Sequence, residues 1–271
     1  MLKQRFYSGF VLAAAILAAV VGLSTPGLAM AMAILFLIAA WEWASLTSIH
    51  TIGHRLVYLL ALGGLMIVVW ALRETFVVPL VLLIAAGLWM IIPFFLRTYS
   101  RHEDEAARWQ KPLCLSGLFF LLAAWLAFIE LHRLHYGWLF YLLALCALAD
   151  SMAYLTGKLF GRRKLAPELS PGKTIEGMLG GLGGVFLLAL VTAIWLQWPL
   201  SSAFSLMVLS MIAGLISVEG DLFESLIKRE AGAKDSGKIL PGHGGVLDRF
   251  DSHIAAAPFF VLGLGILLEC L

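Results

Sequence analysis

The sequence has little charge and few cysteines for its length. Charged residues make up 13% of its 271 residues, about half of the usual share in a soluble domain. Its three cysteines are far apart and form no Cys-x-x-Cys or Cys/His cluster, so neither a disulfide scaffold nor a zinc site is indicated. Apolar residues make up 61%, more than the core of a soluble protein of this size can bury. The composition therefore excludes a soluble enzyme and a disordered chain, and it indicates a polytopic membrane protein.

Nine apolar runs predict nine transmembrane helices, since a helix needs about 20 apolar residues to cross a bilayer. The predicted spans lie near residues 9–23, 27–46, 56–72, 76–96, 112–131, 137–158, 177–198, 203–227 and 253–270. We therefore expect an all-α fold in which residues 1–271 form a single membrane domain. Within it, the sequence identifies no role for the helices of 1–131, whereas 137–271 carry the polar motifs.

The distribution of basic residues supports this count. If nine spans alternate, all of the 19 lysines and arginines except Arg73 and Arg133 fall on one side of the membrane. The positive-inside rule places that side in the cytoplasm. We therefore expect a cytoplasmic N-terminus, an outside C-terminus and a location in the cell (inner) membrane. The basic loops either set the topology alone or also contact anionic lipid headgroups.

Asp150 is an acidic residue inside a predicted span, where charge is costly and usually functional. Asp150, Tyr154 and Gly157 follow one another at i, i+4 and i+7, so they share one helix face. That face leads to Lys158 and to the basic run at 162–164. The stripe indicates a polar path that descends from the cytoplasm. The alternative is that Asp150 pairs with a lysine for packing alone.

The sequence Gly-Lys-Thr at 172–174 resembles part of a Walker A loop. That motif requires a glycine where Pro167 stands and a preceding strand, so we reject an ATPase loop. We interpret the segment as a helix start that is capped by Thr174 or Ser170. Lys173, beside exposed backbone N–H groups, is then suited to hold a phosphate.

Polar residues are densest between residues 220 and 251. The acidic residues of this segment include Asp221, Glu224, Asp235, Asp248 and Asp251, and its cations include Lys228, Arg229, Lys234 and Arg249. Carboxylates at the ends of two consecutive helices can converge here, and Mg²⁺ prefers a few carboxylates together with substrate phosphate. Glycines at 242, 244 and 245 allow an anion to approach the backbone closely. The segment therefore predicts a site for a metal ion and phosphate groups.

The sequence leaves the roles of two residues undecided. Glu42 lies inside the second span between Trp41 and Trp43, where it either pairs with a buried cation or lines a cavity. His243 stands in a Gly-His-Gly-Gly turn, where it acts as a base or ligand or only hydrogen-bonds the backbone.

The segment from Ser225 to Asp251 resembles the signature of the phosphatidate cytidylyltransferase (CDP-diacylglycerol synthase) family. The matching positions are Ser225, Lys228-Arg229, Lys234-Asp235, Pro241, His243-Gly244-Gly245, Asp248-Arg249 and Asp251. The resemblance continues upstream through Gly220-Asp221, Ser170-Pro171, Lys173-Thr174, Glu176-Gly177 and the Asp150, Tyr154 and Gly157 positions. One departure is Ile175, where the family often has tryptophan. The N-terminal half resembles the family only in its hydropathy.

The resemblance implies an enzyme that converts CTP and phosphatidic acid into CDP-diacylglycerol and pyrophosphate. It implies a Mg²⁺-dependent site that is accessible from the cytoplasm. Whether the site also holds a second cation, K⁺ or another Mg²⁺, stays undecided at this point. It also implies a homodimer among membrane lipids, and we expect no nucleic-acid partner. One rival hypothesis is another membrane nucleotidyl- or phosphotransferase, such as one that uses a polyprenyl or ether-lipid phosphate. The other is a cation-coupled transporter with Asp150 and Asp221 as ion ligands.

These considerations predict three groups of site residues. The predicted catalytic residues are Asp221, Asp248, Lys228 and Asp235. The predicted substrate-binding residues are Lys173, Ser225, Arg229, Lys234, His243, Gly244, Gly245, Arg249, Asp150 and Tyr154. The predicted metal ligands are Asp221, Asp248, Asp251 and Glu224.

Overall fold

The computed structural model describes residues 14–47, 49–98, 103–239 and 244–269. Its helices over these residues are α1 (14–22), α2 (Thr25–Leu46), α3 (Ile52–Ala71), α4 (Val77–Thr98), α5 (Glu103–Leu134), α6 (Tyr136–Phe160), α7 (Ile175–Trp195), α8 (Leu200–Glu230) and α9 (Leu247–Glu269). Two short strands, β1 (Lys164–Ala166) and β2 (Ser170–Thr174), lie between α6 and α7.

Helices α2 to α9 are each long and apolar enough to cross a membrane. This confirms the expected all-α polytopic membrane fold. The first predicted span, 9–23, falls partly outside the described residues, and its described part is helical. Some helices extend beyond their predicted spans, since α5 begins at Glu103 and α9 begins at Leu247. Hydropathy marks only the part of a helix that crosses hydrocarbon, whereas helical hydrogen bonding continues into the polar boundary.

Helix α5 forms the centre of the bundle. Every residue in 120–131 is buried, and α2, α3, α4, α6 and α9 all pack against this helix. Such complete burial is typical of a helix that is hydrophobic on all sides. Trp43 Nε1 of α2 donates a hydrogen bond to Leu113 O at 2.9 Å, and Tyr58 OH of α3 donates one to Cys114 O at 2.9 Å. These bonds attach the N-terminal helices to the central one.

Helices α6 and α7 pack with their backbones in direct contact. A Cβ atom at Gly177 would lie 2.7 Å from Ala153 O, and one at Gly181 would lie 2.8 Å from Ala149 O. Small residues allow this close approach in membrane helices. Helix α8 packs against both α7 and α9, so the glycine contact positions the half of the bundle that carries the polar motifs.

The hairpin between α6 and α7 is a feature that the sequence does not predict. Its strands pair antiparallel, with Lys164 opposite Thr174 and Ala166 opposite Ser170. The polar residues of β2 lack the apolar alternation that identifies a strand. The expected helix cap is present, because Thr174 Oγ1 accepts a hydrogen bond from Gly177 N at 3.1 Å.

Enlarging Gly181 should destabilise the fold. Gly181→Leu pushes a side chain into the α6 backbone, and overpacking of this kind typically costs about 1–3 kcal/mol. We expect the thermal midpoint in detergent to fall by several degrees. Gly183→Leu is the control, because Gly183 is exposed on the same helix with nothing within 4 Å of a Cβ atom there. Equal midpoints for the two variants would contradict this account of the packing.

Candidate active site

Three carboxylates converge where the C-terminal end of α8 meets the start of α9. Asp221, Glu224 and Asp251 each offer an oxygen, and these oxygens all lie within 4.8 Å of one another. Glu224 is only 2% exposed, and its Oε1 has no hydrogen-bond partner among the residues that the structure describes. The close crossing depends on Gly220, where a Cβ atom would meet Asp251 O. Carboxylates packed this closely are stabilised by positive charge nearby or by sharing a proton.

Lys228 supplies part of that charge. Its Nζ lies 2.6 Å from Glu224 Oε2 and 2.8 Å from Asp248 Oδ1, and its side chain is 14% exposed. Glu224 and Lys228 are one helical turn apart on α8, so they share a face. Lys228 thus connects the three carboxylates to Asp248 at the start of α9.

Asp248 lies beside the three carboxylates and is held by donors of its own loop. Its Oδ2 accepts hydrogen bonds from Ser236 N at 2.9 Å and from Gly245 N at 2.8 Å, and it lies 3.0 Å from Ser236 Oγ. Asp248 therefore pairs with Lys228 and holds the loop before α9, whereas Asp221, Glu224 and Asp251 form the group whose oxygens converge.

A second lysine reaches the carboxylates from the hairpin. Lys173 Nζ of β2 lies 2.5 Å from Asp221 Oδ2, and Ser225 Oγ lies 3.4 Å from Asp221 Oδ1. The hairpin thus carries a cation from the segment before α7 to the end of α8. The Gly-Lys-Thr segment contributes a lysine to the site although it forms no Walker A loop.

A cavity of about 420 Å³ opens next to this ion pair. Asp150, Tyr154, Gly157 and Lys158 line one wall along α6, as the shared helix face predicts. The other walls come from the hairpin, α7 and α8, and they include Ser170, Gly172, Lys173, Thr174, Gly177 and Asp221. The ion-pair partner of Lys173 is Asp221, and its charge also acts on Asp150, so both interpretations of Asp150 stay open. The cavity leads from the surface to the carboxylates.

Five other predicted residues, Arg229, Lys234, Asp235, Gly244 and Arg249, are not among the described residues that line the first cavity. Arg229 and Lys234 line a second cavity, of about 510 Å³, that borders the hairpin, and Arg229 Nε donates to Leu169 O at 3.3 Å. Asp235 is exposed. Arg249 lies in the first turn of α9, and Gly244 precedes that helix with a φ of 82°. His243 lies outside the described residues, so both hypotheses for it stay open.

Glu42 is a buried residue beside the site whose role the sequence does not reveal. Glu42 of α2 accepts hydrogen bonds from Val246 N at 3.1 Å and from Leu247 N at 2.8 Å, and its Oε2 lies 3.1 Å from Ser236 Oγ, whose one hydrogen serves either Glu42 or Asp248. It therefore caps the start of α9, a third possibility beside the cation partner and the cavity residue considered from the sequence. The hydropathy of α2 makes a buried glutamate conspicuous, but no local pattern identifies its partners.

Known proteins are similar to this chain over nearly its whole length. A family model described as "Cytidylyltransferase family" matches residues 3–267. The chain belongs to the cytidylyltransferase family. This membership extends through the N-terminal helices, for which the sequence motifs gave only a likeness in hydropathy.

Several curated members of this family are similar to the chain. The phosphatidate cytidylyltransferase of Pseudomonas aeruginosa is 35% identical over 263 residues, which cover 96% of each chain. That of Haemophilus influenzae is 34% identical over 285 residues, covering 96% of this chain and 97% of the relative. That of Bacillus subtilis is 44% identical over 142 residues, about half of each chain.

Removing Lys228 should destabilise the folded protein. Lys228→Met leaves Glu224 and Asp248 without the cation that they share, and breaking a buried ion pair in this way typically costs about 3–5 kcal/mol. We expect a clearly lower thermal midpoint in detergent without divalent ions. Lys238→Met, at an exposed lysine of the loop before α9, should leave the midpoint unchanged. A Lys228→Met protein as stable as this control would show that the ion pairs contribute little.

Proposed function

We propose that the protein transfers CMP from CTP to phosphatidic acid, which gives CDP-diacylglycerol and pyrophosphate for phospholipid synthesis. One observation carries the proposal. Three carboxylates and two lysines converge at the ends of membrane-spanning helices, in a chain that aligns over 96% of its length with phosphatidate cytidylyltransferases. A soluble nucleotide and a lipid phosphate can meet only at such a boundary.

The chemistry requires alignment and charge screening more than proton transfer. A phosphate oxygen of phosphatidic acid attacks the α-phosphorus of CTP and forms a new P–O bond. The bond between the α-phosphorus and its bridging oxygen to the β-phosphate breaks, and pyrophosphate leaves with the electron pair. The nucleophile is already an anion, so no strong general base is needed. Enzymes accelerate such transfers mainly by positioning the groups and stabilising their charge.

The residues present fit a Mg²⁺ ion. Asp221, Glu224 and Asp251 offer hard oxygen ligands within 4.8 Å of one another, and Glu224 Oε1 is buried without a described hydrogen-bond donor. We propose that these three residues hold Mg²⁺, which when bound would screen the charge of the CTP phosphates. Asp248 is a candidate ligand for a second cation, K⁺ or Mg²⁺, and it positions Lys228.

The substrates require cationic and polar contacts around the carboxylates. Lys173 and Lys228 stand beside them, so we propose that both neutralise phosphate charge as the reaction proceeds. The cavity along Asp150 and Tyr154 opens to this point and offers a path for one substrate. Further substrate contacts are proposed for Ser225, Arg229, Lys234, His243, Gly244, Gly245 and Arg249, and a catalytic role for Asp235.

The membrane location of the reaction follows from the substrates. Phosphatidic acid stays in the bilayer, and CTP is dissolved in the cytoplasm, so we propose that the ends of α8 and α9 face the cytoplasm. The excess of lysine and arginine on that side supports this orientation. We also propose a location in the inner membrane and a homodimeric assembly, which size measurement in detergent would test.

The purified protein should form lipid-linked CMP from radiolabelled CTP and phosphatidic acid only when Mg²⁺ is present. Asp251→Asn removes one of the three converging carboxylates, and we expect it to lower kcat/KM by about 100-fold or more, because losing one charge-stabilising group typically has this effect.

Glu219→Gln is the matched control, since it changes an acidic residue of α8 that is outside the converging group, and it should keep near-normal activity. If the wild-type protein forms no lipid-linked CMP, the proposed function is wrong and a transporter or another lipid substrate is favoured. If activity persists in EDTA, the Mg²⁺ proposal is wrong.

A further inference from the structure

The N-terminal helices touch the site through one buried carboxylate. Glu42 of α2 is 2% exposed, and its two oxygens lie at hydrogen-bond distance from three donors in the segment before α9. The first N–H groups of a helix have no partner within the helix. A carboxylate satisfies them well, because its charge also interacts favourably with the helix dipole.

Ser236 relays this contact to the site. Its hydroxyl oxygen lies 3.1 Å from Glu42 Oε2 and 3.0 Å from Asp248 Oδ2, and the residue is 6% exposed. Asp248 in turn binds Lys228, which binds Glu224. A continuous series of buried polar contacts therefore runs from α2 to the converging carboxylates.

Two glycines make room for Glu42. A Cβ atom at Gly237 would collide with Glu42 Oε1, and one at Gly245 would collide with Ser236 Oγ and Glu42 Oε2. The sequence suggests that Gly245 lets a substrate anion approach the backbone. In the structure, two carboxylates of the protein lie against Gly245, that of Glu42 beside its Cα and that of Asp248 at its N–H.

We propose that Glu42 is a positioning residue for the active site. It fixes the segment before α9, and through Ser236 it fixes Asp248 and Lys228 beside the three carboxylates. Charge-assisted hydrogen bonds of this kind are stronger than neutral ones, and an active site depends on the groups that hold its side chains in place. The proposal rests on the proposed function and gives the N-terminal helices a role in it.

The first test compares Glu42→Gln with Glu130→Gln. Glutamine has nearly the same shape, but only its amide oxygen can accept a hydrogen bond, so either Val246 N on one side or Leu247 N and Ser236 Oγ on the other lose their acceptor. Glu130 is a suitable control because it is also buried, at 7% exposed, and it pairs with Arg133 on its own helix at 2.8 Å.

Per folded molecule, we expect kcat/KM for CTP to fall by about tenfold or more in Glu42→Gln, since buried donors lose their acceptor. We also expect the Mg²⁺ concentration for half-maximal activity to rise several-fold. Glu130→Gln should change neither value. If the role of Glu42 is purely structural, Glu42→Gln will lower the thermal midpoint and the folded fraction but leave both kinetic values unchanged. That result would overturn the proposal.

Gly237→Ala provides a second route if Glu42→Gln folds poorly, because a Cβ atom there would collide with Glu42 Oε1 and displace the same segment while keeping the carboxylate. We expect it to lower kcat/KM in the same way. Gly183→Ala, at an exposed glycine with open space around it, is its control. The double variant Glu42→Gln/Ser236→Ala should lose no more activity than the worse single variant, because both changes break one series of contacts. Independent, multiplying losses would contradict the relay through Ser236.

Trypsin cleavage after Lys234 and Lys238 gives a readout that needs no enzymatic activity. Both lysines are exposed in the segment that Glu42 holds, so we expect Glu42→Gln to be cut several times faster than wild type and Glu130→Gln to be cut at the wild-type rate. Faster cutting together with an inactive wild-type protein would support the anchoring and refute the proposed reaction. Unchanged cutting together with full activity of Glu42→Gln would refute the positioning role and leave the reaction intact.

Discussion

The site depends on keeping three carboxylates together at the ends of two helices. The oxygens of Asp221, Glu224 and Asp251 lie within 4.8 Å of one another, where like charges repel strongly unless cations neutralise them. Lys173 and Lys228 offset part of this charge, and a divalent ion is suited to offset the rest. Both substrates of the proposed reaction are anions. The positive charges that stabilise the three carboxylates would therefore also reduce the repulsion between the substrates.

The two halves of the chain contribute different parts of the site. Helices α6 to α9 and the hairpin carry the carboxylates, the lysines and the cavity, and glycine contacts hold α6 against α7. The N-terminal helices are attached to α5 by hydrogen bonds from Trp43 and Tyr58, and α2 reaches the site through Glu42. The family model matches residues 3–267, so the match includes the N-terminal helices as well as the helices that carry the site.

Local spacing accounts for what the sequence could predict. Asp221, Glu224 and Lys228 are three, four and seven positions apart, so helical periodicity alone places them together, and apolar length alone locates the spanning helices. The contact between Glu42 and Ser236 joins residues 194 positions apart, and no local pattern encodes it. The hairpin cannot be predicted from the sequence either, because its short polar strands lack the apolar alternation that identifies a strand.

The position of a bound divalent ion tests the central claim most directly. Crystals of the protein soaked with Mn²⁺, an anomalous scatterer that accepts the same oxygen ligands as Mg²⁺, should show a peak among the carboxylates of Asp221, Glu224 and Asp251. The peak should disappear in Asp251→Asn. An active protein whose Mn²⁺ lies elsewhere, or that binds no ion at this point, would contradict the account.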